Sequence, residues 1–220
     1  MPHAHHIHDD YRFTNDWFGG AHFATGESVD IPAIWKTLFA RHKPMTFLEV
    51  GCFEGNASCF IIDQRAAQSP ILLVCVDTWG GSEEHADEDM SQVEARFDHN
   101  TELALSRTTN PVVFQKMKSP SRDALARLLT DGNQNFFDFI YIDGSHLSRD
   151  VLTDLVLAFP LLKPGGLLVA DDYLWAQTQD NPLHAPKTGI DAFVNVFSPK
   201  VAVLPGLPQY QLYMTKTEAS

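Results

Sequence analysis

Residues 138–173 constrain the fold of this 220-residue chain more than any other stretch. An apolar strand there ends in Asp143-Gly144-Ser145-His146, and a helix-length segment follows. A Lys163-Pro164-Gly165-Gly166 turn then leads into a second apolar strand that ends in Asp171-Asp172-Tyr173. Two strands joined by one helix form a βαβ unit with an acidic rim. In open parallel sheets that rim is where ligands and chemistry sit.

The rest of the chain repeats this alternation. Apolar runs at 45–50, 71–76 and 111–116 precede helical stretches at about 56–67, 90–107 and 121–130. Residues 30–41 have helical spacing, with Asp30 as N-cap and Pro32 in the first turn. Further helices are expected at 147–160 and 188–197, and the two runs after them read as a terminal antiparallel pair. Strands separated by helix-length segments imply an α/β, Rossmann-like, doubly wound sheet, mostly parallel and covered on both faces. No linker divides the chain, so residues 11–220 are expected to form a single domain behind a disordered, His-rich tail at 1–10.

Charge narrows the function classes. A net charge of −12 and a pI near 5.1 argue against a nucleic-acid backbone or an anionic membrane as partner. No apolar run approaches the roughly 20 residues of a spanning helix, and the N-terminus lacks an apolar signal region. Cys52, Cys59 and Cys75 are odd in number and have no C-x-x-C spacing, which suits reduced thiols in a cytoplasmic protein.

Four motifs fall at the C-terminal ends of the expected strands. In the first, running from Glu49 to Ser58, Gly51 permits a tight turn and close ligand approach. Gly55 lets the next helix start near the sheet, and Glu49 can hold an amine. Phe53 and Asn56 stand where a dinucleotide fingerprint needs glycines, which counts against an NAD-linked oxidoreductase. In the second, Asp77-Thr78-Trp79, the acid can accept both hydroxyls of a ribose and Trp79 can stack on an adenine, or the pair is a cap and a core ring. In the third, Ser119 and Ser121 either meet an adenine edge or cap the next helix. The fourth brings Asp143, Asp171 and Asp172 together on neighbouring strand ends, a hard-oxygen set suited to Mg²⁺ or Mn²⁺. His146, expected at the start of a helix, is a candidate general base or a structural histidine. Tyr173, Trp175 and His184 either line an acceptor pocket or simply pack.

As an ordered set these motifs resemble class I S-adenosylmethionine-dependent methyltransferases. The E-x-G-x-x-x-G-x-x-S run at Glu49–Ser58, Asp77, Asp143 and the Leu162–Gly166 turn stand in that family's order. More narrowly the chain is similar to a small bacterial subgroup carrying I-D-G-S-H and D-D-Y. The resemblance implies a seven-stranded sheet with an antiparallel last strand and S-adenosylmethionine over the first βα turn. Glu49 and Gly51 would lie beside the methionine end and Asp77 on the ribose, with Trp79 and Ser119 near the adenine; Gly55, Ser58, Thr78 and Asp143 complete the implied cofactor set. Metal-dependent O-methyltransferases of the catechol and macrolide-sugar types carry a divalent cation on acids matching Asp143, Asp171 and Asp172. The sugar type also supplies a histidine base, here His146.

The expected activity is therefore metal-assisted O-methylation of a small hydroxylated acceptor such as a sugar. A metal-independent N- or O-methyltransferase and a non-catalytic binder of the same fold remain alternatives. The aromatic N-terminal segment could also serve a contact in a homo-oligomer.

Overall fold

The protein is described here from a computed structural model, covering residues 10–14, 18–19, 29–81, 89–175 and 181–217. Seven strands form one sheet in the order β3-β2-β1-β4-β5-β7-β6. They are β1 (Thr46–Val50), β2 (Ile71–Asp77), β3 (Val112–Lys118), β4 (Phe137–Ile142), β5 (Leu162–Ala170), β6 (Val201–Val203) and β7 (Leu212–Lys216). The first five are parallel, whereas β7 runs antiparallel to both β5 and β6. This is the expected Rossmann-like α/β fold.

Side-chain alternation along each strand divides the core in two. Phe47, Leu73, Phe139 and Val169 face α1 (Ile31–His42), α2 (Asn56–Ile61) and α3 (Val93–Ser106). Leu48, Val74, Ile140 and Leu168 face α4 (Ser121–Thr130), α5 (Ser148–Ala158) and α6 (Pro186–Phe197). On the first face Trp35 is fully buried and packs edge-on against Phe18, Phe139 and Tyr141. α1 starts where expected, because Asp30 accepts from the Ala33 N–H at 2.9 Å and Pro32 occupies the first turn.

Two local expectations change. Lys163-Pro164-Gly165-Gly166 does not precede β5 but lies inside it. The β4–β5 register shifts there between Phe137 and Phe139, and Gly165 takes φ +77°. β5 advances from Leu162 to Leu167 while β4 advances only from Phe137 to Phe139, so the Lys163–Gly166 stretch bows out of register, and a glycine in the left-handed region lets it do so without ending the strand. α5 begins at Ser148, so His146 sits in the β4–α5 loop rather than on the helix. Among the described residues no helix is long and apolar enough to cross a membrane.

The sheet edge closes at Gly51. Its φ is +85°, and a Cβ there would lie 1.8 Å from the Asp143 carbonyl oxygen. The β1 turn can therefore press against the end of β4 only with glycine at this position. Gly51→Ala should destabilise the protein by at least about 3 kcal/mol or abolish folding. A thermal melt within a degree or two of wild type would contradict the close approach.

Candidate functional site

Strand register assembles the site. Glu49, Cys75, Tyr141 and Val169 form one row across β2-β1-β4-β5, all on the α1–α3 face. One step further along the same parity come Asp77, Asp143 and Asp171, just where the strands end. A cavity of about 680 Å³ opens over these residues. It is bounded by the Gly51–Glu54 turn, the ends of β2 and β3, the β4–α5 loop, and the Asp171–Trp175 segment.

The turn after β1 is organised by Asp77. Its Oδ2 accepts the Cys52 and Phe53 N–H groups at 2.8 and 2.9 Å, and its Oδ1 accepts the Trp79 N–H at 2.7 Å. Three backbone donors occupy most of a carboxylate's capacity of about four. Asp77 thus holds the glycine turn in shape, and what remains of its capacity faces the cavity. Phe53 and Trp79 are both left-handed, at φ 46° and 52°, and the Trp79 indole N–H donates to the Phe53 carbonyl at 2.9 Å. Trp79 is largely core: Phe97 packs on it and Lys116 Nζ stands 4.4 Å from its ring centre, although it also reaches the cavity wall.

Glu49 is buried and points into the cavity, with Ser58 Oγ donating to it at 2.6 Å. Burial raises its carboxyl to about 8, opposed by the Ser58 hydroxyl and reinforced by the charge of Asp77. Ser58 and Gly55 lie behind the cavity wall. Ser58 reaches the site through Glu49, and Gly55, at φ +87°, starts α2. Thr78 and Ser119 lie on the wall. Ser121, expected as a cap, is instead the first residue of α4, and its hydroxyl bonds the buried carboxylate of Asp154.

The acidic rim divides into two groups. Asp171 turns inward: its Oδ2 accepts from the Tyr141 hydroxyl and from Gln211 Nε2 at 2.9 Å, while its Oδ1 accepts the Asp172 N–H at 2.7 Å. The Tyr141 hydroxyl also lies 2.9 Å from Asp143 Oδ2. One phenolic proton cannot serve two carboxylates, so one of the two acids carries a proton of its own. Burial pushes both upward, Asp171 to about 7, reinforced by the charge of Asp172 on Asp171 and of Asp171 and Asp172 on Asp143.

Asp172, buried and with φ 55°, turns instead to the β4–α5 loop, where its Oδ2 lies 2.7 Å from His146 Nε2. The ligand atoms of Asp143, His146 and Asp172 all lie within 4.8 Å of one another. The expected set was Asp143, Asp171 and Asp172; the grouping whose ligand atoms lie closest together is Asp143, His146 and Asp172. Tyr141 and Gln211 engage Asp171, and the loop position of His146 brings it in instead. Two carboxylates and an imidazole suit Mn²⁺ better than Mg²⁺, which favours oxygen donors alone. Trp175 packs on His146 with its ring tilted and the ring centres 4.3 Å apart. Tyr173 and His184 stand elsewhere: Tyr173 bonds Asp191 and Lys187 on α6, and His184 is exposed.

Four residues of this region carried no sequence signal of their own. Tyr141 and Gln211 read as parts of strand runs, and only register places Tyr141 beside Glu49. Tyr210 arrives from the β6–β7 loop to hydrogen-bond Asp172, and Asp154 from the second turn of α5.

A sequence model of a family described as a methyltransferase domain matches residues 48–173, from the strand bearing Glu49 to Tyr173. The chain belongs to this methyltransferase family. The match covers every element that builds the cavity from β1 to β5. A mimivirus relative, uncharacterized protein R132 of Acanthamoeba polyphaga mimivirus, is 25% identical over 132 residues, which span 59% of this chain and 52% of that protein. Solved structures share the fold at lower identity. An O-methyltransferase from Bacillus cereus in complex with SAH superposes with a TM-score of 0.55 at 19% identity, over 88% of this chain and 84% of that one. TomG from Streptomyces achromogenes, in complex with SAM, gives 0.57 at 16%, over 88% and 83%. SAH-bound PaMTH1 from Podospora anserina gives 0.57 at 15%, over 88% and 80%.

Raised carboxyls have a consequence for stability. Glu49 at about 8, Asp171 at about 7 and Asp154 at about 6 keep protons that an unfolded chain releases near pH 4. The native state therefore binds more protons between about pH 4 and pH 8, and stability is lost as pH rises through that window. Thermal melts at pH 5 and pH 8 should show the decline, with a smaller one in Glu49→Gln. An identical decline in that variant would remove Glu49 as a contributor.

Proposed function

We propose that the protein is an S-adenosylmethionine-dependent O-methyltransferase acting on a small hydroxylated acceptor, with assistance from a divalent cation. The observation that carries this reading is one continuous cavity with two chemically distinct ends. At one end stand Glu49 and the glycine turn held by Asp77; at the other stand His146 and Asp172, 2.7 Å apart. The family membership and the SAH and SAM held by the structural relatives support the choice of methyl donor.

Glu49 would take the donor's amine, whose positive charge favours the ionised carboxylate that burial otherwise disfavours. Donor binding near pH 7 should then release a proton from Glu49. The Gly51 backbone leaves room for the donor beside β4, and Trp79 and Ser119 would flank its adenine. An acceptor oxygen held by the β4–α5 loop and Trp175 would attack the methyl carbon in line. As the C–O bond forms, the S–C bond breaks and its electron pair stays on sulfur. His146 would take the hydroxyl proton, with Asp172 orienting the imidazole and stabilising its charged form. Proximity supplies much of the acceleration for a transfer of this kind.

Asp143, His146 and Asp172 are also the residues that would hold the cation. A divalent ion bound there would polarise the acceptor hydroxyl and lower its pKa. In that arrangement His146 would serve as a ligand rather than as the base, and the acceptor's proton, its pKa lowered, would pass to solvent. The donor spacing within 4.8 Å and the crowding of like charges favour this variant of the mechanism.

Under either role His146→Ala should lower turnover by about 100-fold or more, with SAH binding by calorimetry unchanged. Turnover at the wild-type rate would take His146 out of the mechanism. Treatment with EDTA separates the two roles. Loss of activity restored by Mn²⁺ is expected if the three residues hold a cation, and full activity in EDTA would exclude it.

A further inference from the structure

The cavity's charge points to the kind of acceptor it takes. Among the described residues, eight carboxylate side chains and one guanidinium, that of Arg122, line it. All sixteen lysines and arginines of the chain lie within the described residues, so the segments left aside bring no further cation.

The cations near the cavity each have an acidic neighbour, Arg122 and Arg149 only through exposed contacts with the adjacent residue. Arg96 pairs with Glu54, Arg149 with Asp150 at 3.4 Å, Lys187 with Asp191 at 2.5 Å, and Arg122 with Asp123 at 3.2 Å. The side that would receive the acceptor is built from His146, Asp172, Trp175 and Tyr210 and has no lysine or arginine. Shared protons, the donor's sulfonium and a divalent cation would offset much of the negative charge. Among the described lining residues, Arg122, exposed and paired only with its neighbour Asp123, is then the one lysine or arginine that could meet an anion on the acceptor.

We infer, resting on the methyltransferase reading above, that the acceptor is a free hydroxyl compound, uncharged or cationic, and not a phosphate-bearing one. CoA thioesters and nucleotide-activated sugars are the classes this excludes. Phosphates are held by Arg forks, Lys or open backbone N–H groups, and a field of carboxylates repels them at a distance as well as on contact. Aromatic faces beside an acid, as Trp175 and Tyr210 stand beside Asp172, suit a neutral ring or an ammonium group.

The test uses two acceptors that present the same catechol, dopamine and caffeoyl-CoA, with S-adenosylmethionine labelled on the methyl group and Mn²⁺ present. Dopamine should be methylated with a kcat/KM at least about tenfold higher than caffeoyl-CoA. An equal or higher value for caffeoyl-CoA overturns the inference. Calorimetry of coenzyme A against the protein, with and without SAH, needs no turnover. No saturable binding in the millimolar range is expected, and saturable binding that is lost on mutating Arg122→Ala overturns the inference equally. SAH binding measured alongside keeps the two claims apart. Failure to bind SAH sinks the methyltransferase reading, whereas SAH binding together with turnover of the CoA ester sinks the charge inference alone.

Discussion

One phenolic hydroxyl between two half-buried carboxylates fixes the geometry on which the site depends. Tyr141 binds Asp143 and Asp171 together, and Gln211 extends the contact to the indole of Trp35 and the hydroxyl of Tyr213. This network ties β4 and β5 to α1 and to the chain just before β7. Buried polar chains of this kind are costly when partly satisfied and rigid when complete. Because Asp171 is engaged by the network, Asp172 is the acid of its pair that meets His146. The division of labour between two adjacent aspartates follows from strand alternation and one proton count.

A second constraint is the contact between Gly51 and the end of β4. Without a Cβ at residue 51 the glycine turn lies directly against Asp143, so the two ends of the cavity share a wall. Asp77 then shapes the same turn through three N–H groups. Its acid therefore has a structural task even before any ribose is considered. A carboxylate that preorganises backbone donors around a ligand site leaves less to be ordered when the ligand arrives.

Much of the fold was legible because its signals are local and repeated. Apolar runs bounded by turn residues marked the strands, and helix-length spacers implied the parallel order. The terminal antiparallel pair was readable from its two short runs, and the family resemblance added a seven-stranded sheet with an antiparallel last strand. Lys163–Gly166 was misread as a turn because Pro-Gly-Gly has the same composition in a bulge; only the pairing of β4 with β5 distinguishes them. Residues at strand ends, such as Glu49, Asp77 and Asp143, could be read one by one. Their partners could not. Tyr141 looks like one more apolar strand residue, Tyr210 lies 38 positions beyond Asp172, and Asp154 is hidden within an amphipathic helix. The choice between Asp171 and Asp172 needed side-chain directions, which turn on a single left-handed residue at position 172.

The central claim is that one cavity carries a methyl donor at Glu49 and an acceptor at His146. A crystal structure of the protein with SAH tests it most directly. The account predicts the methionine amine against Glu49, the ribose beside Asp77, and the sulfur directed towards His146 and Asp172. SAH bound outside this cavity, or bound with its sulfur turned away from His146, would contradict it.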